Sequence, residues 1–533
     1  MKKVSYPILL LSFFISLSIN LKIIIVKSLD KFINNFHIDF CFIGKVVILC
    51  LVLYFLFNIL FKIIDKITLI ESNVLLTNKF IIFIILFIPT IIYLLSHYPA
   101  VYLNDTIFML YHPISKMNPV IYGMFMSIIF FSLKVFFNST IIVFILSIIQ
   151  SIISCLILTY AIFWFNKKVN NKVLNIILIC YYSFLPIIAN YNMSLDKDTP
   201  FSILMLLFFI FVFEIIKSKG NIITNKRFLI KFMIICSLCI FVRRNGIGIV
   251  LITSIILFIK YGIYNQKKYW ISIILFLLLL PGVENIALKH WDRSYNKSEA
   301  YAIPIQQISY LAKYDSDKLS NNDYKLLSKI IKNPKDNLKK DYNVYSVDDI
   351  KFSEYFDKDK FNKYEKNFLG LWIRKFPNNI SSYTKSFLLN DYHLWSISKL
   401  EKRQSIFSVA SILFVDKDKQ IHNKRILPKN IYNVLIKYYD IFNTYLNPAG
   451  CFILLIITNV YACTRKKKEM LLISIPLIVL WFILILGTPL SSALRYMAPY
   501  LYILPIIILY TFHITRENDV DENKRKSKKE LSK

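Results

Sequence analysis

The sequence is poor in acidic residues and in glycine. Its 533 residues include 33 Asp and Glu against 65 Lys and Arg, and 10 glycines. Eight cysteines all lie in or beside hydrophobic runs, and none falls between residues 290 and 446. This pattern excludes a disulfide framework in the one long hydrophilic stretch. Because no glycine-rich phosphate-binding loop is present, we predict no nucleotide or nucleotide-sugar site.

Long hydrophobic runs dominate the chain. The mean hydropathy is +0.52 and 56% of the residues are hydrophobic, in runs near the ~20 residues that cross a bilayer. The runs lack period-two alternation, and backbone polar groups must be paired inside lipid, so the spans should be helices rather than a barrel. We predict an all-α polytopic membrane protein with about twelve transmembrane helices. They lie at residues 1–26, 43–64, 80–97, 140–165, 173–190, 200–216, 228–242, 245–259, 269–289, 447–463, 470–487 and 500–514.

Positive charge sets the predicted orientation. The first apolar run follows Lys2 and Lys3 and lacks a small-residue cleavage site, so we expect an uncleaved span. The positive-inside rule places the basic loops and both termini in the cytoplasm. The segment 119–136 is predicted to be a re-entrant or surface helix, because a full span there would move a basic loop outside. The basic segments are residues 166–172, 217–227, 265–268, 465–469 and 524–529.

The same pattern divides the chain into four parts. We predict an N-terminal membrane domain (1–289) with a catalytic outer loop (98–139), and a small, mainly helical extracytoplasmic domain (290–446). C-terminal membrane helices (447–514) and a basic cytoplasmic tail (515–533) follow. The formal charge of +32 is spread over short loops. That distribution indicates orientation and contact with anionic membrane lipids, and not nucleic-acid binding.

Polar side chains collect at the predicted outer ends of the helices. Each also has an ordinary structural explanation: a helix start at Asp198, arginines that snorkel to lipid headgroups, or a loop histidine. Jointly they suit a lipid-linked phosphate in an outward cavity, because charges inside a membrane are candidates for function. Gln306 and Gln307, just after the ninth span, either lie on a helix surface or bind sugar hydroxyls. The clustered residues are Asp105, His112, Asp196, Lys197, Asp198, Arg243, Arg244 and Arg495.

Seven segments between about residues 100 and 500 carry a resemblance to known proteins. They are YPAVYLNDTIFMLYHPISKMNPVIYGMF, IIQSIISCLIL, LDKDTPFSILMLLF, FVRRNGIGIVL, AIPIQQISYLAKY, WIRKFPNNISSYTKSFLLNDYHLW and TPLSSALRYMAPYLYILPIII. In this order they resemble a family of largely uncharacterised bacterial membrane proteins in the GT-C superfamily of glycosyltransferases. Relatives of that family include the protein O-mannosyltransferases and the aminoarabinose transferase of lipid A.

The resemblance implies a plasma-membrane enzyme with an extracytoplasmic active site. Such an enzyme transfers a sugar from a polyprenyl-phosphate carrier to an envelope glycan, lipid or protein. The resemblance makes Asp105 the catalytic carboxylate, which as a general base would accept the proton of the acceptor hydroxyl. Cations would stabilise the departing phosphate, and inversion is expected because no second acid accompanies Asp105 as a nucleophile. The candidates for phosphate or substrate binding are Lys197, Arg243, Arg244, Arg495, His112, Gln306 and Gln307.

Other chemistries stay open from the sequence. No metal or cofactor is expected, although Asp105 and the possible second acid Asp198 would suit hydrated Mg²⁺ or Mn²⁺ if they converged. An envelope polysaccharide polymerase or ligase uses similar lipid-linked donors but moves whole repeat units. A transporter or flippase of lipid-linked substrates would be expected to show inverted repeats and helices broken by glycine or proline in both halves.

Overall fold

A computed structural model of the chain describes residues 5–67, 78–101, 106, 109–110, 120–263, 266–290, 297–397, 426–487 and 494–530. Within these ranges the regular structure is helical, and extended pairing is limited to isolated bridges between Ile331 and Phe356 and between Asn343 and Ser346. The prediction of an all-α membrane protein is confirmed at this level.

The helices up to residue 290 form most of the membrane region. The span α11 continues into a π-helical turn at Phe258–Gly262, and a 3₁₀ turn at Asn221–Thr224 precedes α10. The bounds are α1 Tyr6–Lys27, α2 Leu29–Asn35, α3 Phe40–Lys66, α4 Lys79–Ser96, α5 Val120–Lys134, α6 Ser139–Val169, α7 Lys172–Phe184, α8 Pro186–Met193, α9 Asp198–Lys217, α10 Lys226–Val242, α11 Asn245–Leu257 and α12 Lys267–His290.

The remaining helices form a polar unit and the C-terminal part of the membrane region. Short 3₁₀ turns lie at Lys297–Tyr301, Ser316–Lys318, Pro377–Asn379 and Leu494–Met497. The helix bounds are α13 Ala302–Tyr314, α14 Asn321–Leu327, α15 Pro334–Asp341, α16 Asp348–Lys351, α17 Lys358–Lys375, α18 Ile380–Asn390, α19 Tyr392–Trp395, α20 Lys429–Tyr445, α21 Pro448–Thr464, α22 Glu469–Ile473, α23 Ile475–Gly487 and α24 Ala498–Glu530.

Within the described residues, each of the twelve predicted apolar segments overlaps one helix or two consecutive helices. Among the described residues, eight helices are long and apolar enough to cross a membrane, or nine if the bent pair α7 and α8 is one span. The span predicted at 173–190 is bent by 58°. The break falls at Leu185, because Pro186 has no N–H and disfavours helical geometry in the residue before it. The total of twelve spans stays a prediction.

Two hydrophobic cores organise the chain. The larger one joins the membrane helices. The second lies in residues 297–397 together with the C-terminal part of α1, with α2 and with the N-terminal part of α3. The predicted helical domain 290–446 differs in one element. Helix α20 packs against α8 in the membrane core through Tyr439, so the helical unit ends before α20.

At one face of the bundle, charged contacts join the ends of three helices. The orientation predicted from the sequence places these ends on the same side of the membrane. Asp65, at the end of α3, accepts hydrogen bonds from the Tyr461 hydroxyl at 2.9 Å and from Arg465 Nε at 3.0 Å. Arg516 donates to the backbone carbonyls of Asp65 and Ile64. This face is called the locked face below, because these contacts tie α3, α21 and α24 together.

Candidate functional site

The opposite face contains a linker, residues 194–197, between α8 and α9. A helix end inside a bilayer leaves carbonyl groups that need donors. Side chains from α6 and α9 supply them, since four consecutive carbonyls accept hydroxyl or amide donors. The pairs are Thr199 Oγ1 to Tyr191 O at 2.8 Å, Ser151 Oγ to Asn192 O at 3.2 Å, Ser147 Oγ to Met193 O, and Gln150 Nε2 to Ser194 O at 2.6 Å.

Asp196 in this linker caps α9. Its Oδ1 accepts the backbone N–H groups of Asp198 at 2.7 Å and Thr199 at 2.8 Å, two of the donors that a helix start leaves unsatisfied. Burial, and then the neighbouring Asp198 carboxylate, raises the pKa of Asp196 to about 7, against the pull of those two N–H groups and of Arg495. This carboxyl therefore titrates near neutral pH.

Asp198 brings two distant arginines together. Its side chain is 1% exposed, Oδ1 forms an ion pair with Arg243 Nη1, and Oδ2 lies 3.7 Å from Arg495 Nε. The three residues come from the start of α9, the end of α10 and the 3₁₀ turn before α24. Two predicted phosphate ligands and the possible second acid thus form one buried cluster, which we call the arginine cluster.

Aromatic rings hold both guanidinium groups in place. The Arg243 guanidinium lies 4.8 Å from the Tyr496 ring centre and 5.5 Å from that of Phe201, and Arg495 lies 5.0 Å from the Tyr496 ring. Arg495 Nη2 also donates to the Tyr496 hydroxyl at 3.2 Å. Contacts of this kind favour arginine because its planar cation stacks on rings.

The hairpin between α10 and α11 depends on Gly246. A Cβ atom there would lie 2.4 Å from the Cys239 carbonyl oxygen, closer than any real contact. The Gly246 N–H donates to the Arg243 carbonyl at 2.8 Å. The absence of a side chain at this position therefore lets the hairpin turn tightly enough to point Arg243 at Asp198.

Arg244 and Lys197 lie beside the cluster and are half-buried. In the sequence, Arg244 directly follows Arg243 and Lys197 directly precedes Asp198. With Arg243 and Arg495 they make four cations against the carboxyls of Asp196 and Asp198. The balance of charge at this face is positive among these residues, which suits an anionic ligand.

A second charged network belongs to the polar helical unit. Lys351, whose side chain is fully buried, pairs with Glu299 Oε2 at 2.8 Å and Asp348 Oδ1 at 3.1 Å. Burial raises the pKa of Asp348, and the charges of Lys351 and Arg495 oppose that rise.

Gln306 and Gln307 lie inside the helical unit. They are 1% and 6% exposed, and their amide nitrogens donate to the Asn343 carbonyl at 2.6 Å and the Tyr383 carbonyl at 3.1 Å. Gln307 Oε1 also accepts from Trp372 Nε1 at 2.7 Å. These buried hydrogen bonds give both glutamines a role in the fold, and the binding of substrate by them stays a prediction.

Asp105 and His112 lie outside the described residues. The described residues on either side of Asp105 both contact the linker. Leu195 N donates to the Val101 carbonyl at 2.8 Å, and Thr106 Oγ1 donates to the Leu195 carbonyl. The outer loop predicted to be catalytic is thus attached next to Asp196 and Asp198.

The described part of the chain contains no set of side chains assembled to bind a metal ion. No group of three or more His, Cys, Asp or Glu side chains there is placed to hold an ion. Asp196 binds backbone N–H groups and Asp198 binds arginines. The expectation of no metal stays a prediction.

Sequence reasoning missed Tyr496, Phe201 and Lys351. Tyr496 follows Arg495 directly, and an aromatic residue beside an arginine is a signal that could have been noticed. Phe201 and Lys351 carry no such signal, because one is a phenylalanine in an apolar helix and the other a lysine among many. Their roles arise only from packing.

The chain belongs to a family of unknown function, DUF6020, whose model matches residues 37–526. No curated protein and no solved structure matches the chain.

Proposed function

We propose that this member of a family of unknown function is a GT-C-type glycosyltransferase that uses a polyprenyl-phosphate sugar donor. The arginine cluster and its neighbours carry the proposal. Arg243 is buried and Arg495 is half-buried, and the half-buried cations Arg244 and Lys197 lie beside them at one face of a membrane bundle. A lipid-linked phosphate reaches such a site from the bilayer, and a water-poor site strengthens its attraction to cations. The acceptor is an envelope glycan, lipid or protein.

The proposed reaction is a single displacement with inversion. The acceptor oxygen forms a bond to the anomeric carbon of the sugar, while the bond from that carbon to the phosphate oxygen breaks. Asp105 takes the proton of the acceptor hydroxyl. The polyprenyl phosphate leaves with the electron pair and the added negative charge, which the cations of the cluster stabilise.

Within the cluster we assign different tasks to the two arginines. Arg243 is the more buried, pairs directly with Asp198 and lies between two aromatic rings. Arg495 approaches Asp198 at 3.7 Å, which is longer than a hydrogen bond. We therefore assign Arg495 to the phosphate and treat Arg243 and Asp198 as positioning residues.

Binding of the isolated carrier lipid tests the site without knowledge of the sugar. The purified full-length protein is heated with polyprenyl phosphate or with uncharged polyprenol, and its unfolding temperature is measured. We expect the phosphate to stabilise the wild type and Arg374→Ala, which removes an arginine that is 66% exposed, but not Arg495→Ala. Equal stabilisation by polyprenol, or unchanged stabilisation of Arg495→Ala, would refute the phosphate assignment.

Glycan profiles test the reaction. A strain lacking the protein is complemented with wild type, Asp105→Asn or Arg374→Ala, and its envelope glycans are analysed by mass spectrometry. We expect Asp105→Asn to insert normally in the membrane but to lose one sugar modification, which the control restores. Full modification by the Asn variant would overturn the base assignment, and loss of whole repeat units would favour a polymerase or ligase.

One observation favours a second candidate, a transporter of lipid-linked substrates. The bent span α7–α8 ends at the linker that carries Asp196, and broken helices line substrate sites in many transporters. In reconstituted vesicles a transporter would move a fluorescent lipid-linked sugar across the bilayer with the sugar still attached. The transferase proposal predicts a covalent product instead.

A further inference from the structure

We propose that α20 lies in the plane of the membrane, with one side embedded in the lipid leaflet on the face of the arginine cluster. The proposal concerns residues 429–445, a helix to which the sequence pattern assigned no membrane role. It does not depend on the proposed reaction.

The exposed side chains of α20 fall into two separate stripes. At about 100° per residue, the exposed apolar residues span an arc of about 80° and the exposed polar ones a neighbouring arc of about 100°. The apolar stripe comprises Ile431, Val434, Tyr438 and Ile441, and the polar stripe Lys429, Asn430, Asn433, Lys437 and Asp440. A helix surrounded by water would not separate its exposed residues in this way.

A third side of α20 packs on the protein. Tyr439 is 1% exposed, and Leu435 and Phe442 contact the same membrane core. The Tyr93 hydroxyl donates to the Leu435 carbonyl at 3.3 Å, and the Tyr438 hydroxyl donates to the Phe184 carbonyl at 2.8 Å. The helix is therefore fixed against α4 and against the bend between α7 and α8.

The apolar stripe continues the exposed apolar surface of a candidate membrane span. Phe184, at the end of α7, is 66% exposed, and Ile176 and Ile177 on the same span are exposed as well. Val434 is 65% exposed. Because the surface around the stripe belongs to a candidate membrane span, lipid is the occupant that fits it.

Three sides with three environments define an interfacial helix. The core side binds the bundle, the apolar stripe enters the boundary between headgroups and acyl chains by about 5–10 Å, and the polar stripe faces water and headgroups. Lys429 and Lys437 on the polar stripe suit anionic headgroups. The helix forms the lipid-facing wall beside α8, whose far end leads to Asp196.

Nitroxide depth measurements test this placement. Full-length protein with Cys41, Cys180 and Cys463 replaced by serine leaves only buried cysteines. Single variants Val434→Cys, Ile441→Cys and Asn433→Cys are labelled and reconstituted into nanodiscs of phosphatidylglycerol and phosphatidylcholine. Collision with oxygen, which concentrates in lipid, is compared with collision with a water-soluble nickel chelate.

We expect the labels at positions 434 and 441 to collide several-fold more with oxygen than with nickel and to lie at equal depth. The label at position 433, the matched control one residue away, should collide more with nickel. Preference for nickel at 434 would place the stripe in water and overturn the proposal. Low access to both probes at 434 would mean that protein, such as a second copy of the chain, covers the stripe. A steady change in depth from 434 to 441 would mean that α20 stands across the bilayer.

Discussion

The two faces of the bundle carry the same kinds of charged residue and use them differently. At the locked face, Arg465 and Asp65 are 37% and 28% exposed and Arg516 donates to backbone carbonyls. In the arginine cluster, Asp198 and Arg243 are 1% and 9% exposed. Guanidinium groups lie over aromatic rings at both faces, so burial is what separates the two arrangements. The contacts of the locked face fix helix ends to one another, whereas the arginine cluster holds cations close together around a buried carboxylate.

This difference shows that charge in a membrane helix does not by itself identify a site. Arginine that satisfies carbonyls and a partly exposed carboxylate has a sufficient structural role. Burying an ion pair such as Asp198 and Arg243, with further cations beside it, is costly unless a ligand or a precise geometry compensates for the lost hydration. The arginine cluster therefore retains a functional explanation that the locked face does not require.

Replacing one arginine at each face with alanine should give the largest contrast in activity and unfolding temperature. We expect Arg495→Ala to abolish the proposed sugar transfer and to lower the unfolding temperature less than Arg465→Ala does, because its contact with Asp198 is longer than a hydrogen bond. Arg465→Ala should keep activity and lower the unfolding temperature. Glycan profiles and thermal unfolding of both purified variants measure the two effects, and loss of activity in both variants would remove the functional distinction.

Removing one carboxylate at each face compares the energies of the two networks. Asp198→Ala leaves Arg243 buried without its ion pair, which costs about 3–5 kcal/mol. Asp65→Ala acts on a more exposed pair and should cost about 1 kcal/mol or less. Chemical unfolding in detergent measures both values. Similar losses at the two sites would mean that burial does not set the strength of the cluster.

The tight hairpin beside the cluster offers a steric test. Gly246→Ala forces a Cβ onto the Cys239 carbonyl, and overpacking of this kind costs about 1–3 kcal/mol. Gly44→Ala is the matched control in α3, since its Cβ would meet no atom within 4 Å. We expect Gly44→Ala to be neutral or slightly stabilising. An unchanged unfolding temperature for Gly246→Ala would show that the hairpin adapts.

The pH dependence of stability should show the smallest effect. The pKa of Asp196 rises from 3.8 to about 7 on folding, so the folded state binds a proton more tightly than the unfolded one. Its contribution to stability is complete below about pH 4 and falls as pH rises towards 7. Asp196→Asn keeps an oxygen that can cap α9 and should flatten this decline between pH 4 and 7. The measurement is the unfolding temperature between pH 4 and 7. Equal slopes against pH for the wild type and Asp196→Asn would contradict the assignment.

Much of the helical layout could be predicted from the sequence. Each apolar run became a helix because a backbone in lipid must satisfy its own hydrogen bonds. The bend at Leu185 was missed even though Pro186 is visible, because a proline inside an apolar run leaves the length of that run unchanged. The end of the helical unit was missed because α20 is amphipathic, and only its contacts with α8 assign it to the membrane region.

The candidate site was predictable in part. Arg243, Arg495 and Asp198 stood out because charge is rare at the ends of apolar segments, and the structure brings them together. Gln306 and Gln307 looked similar in sequence but are buried in the helical unit. A polar side chain can satisfy the fold or meet a ligand, and its sequence neighbours do not distinguish the two.

The sequence by itself determined the class of the protein: hydrophobic length and the distribution of lysine and arginine specify helices in a membrane and their alternation. Only the tertiary structure decided which charges meet. Asp198, Arg243 and Arg495 are separated by as much as 297 residues in the chain, and their contact depends on a bent span, a glycine hairpin and stacked rings. Pairing energies fall steeply with distance and burial, so positions alone carry no information about them until the helices have packed.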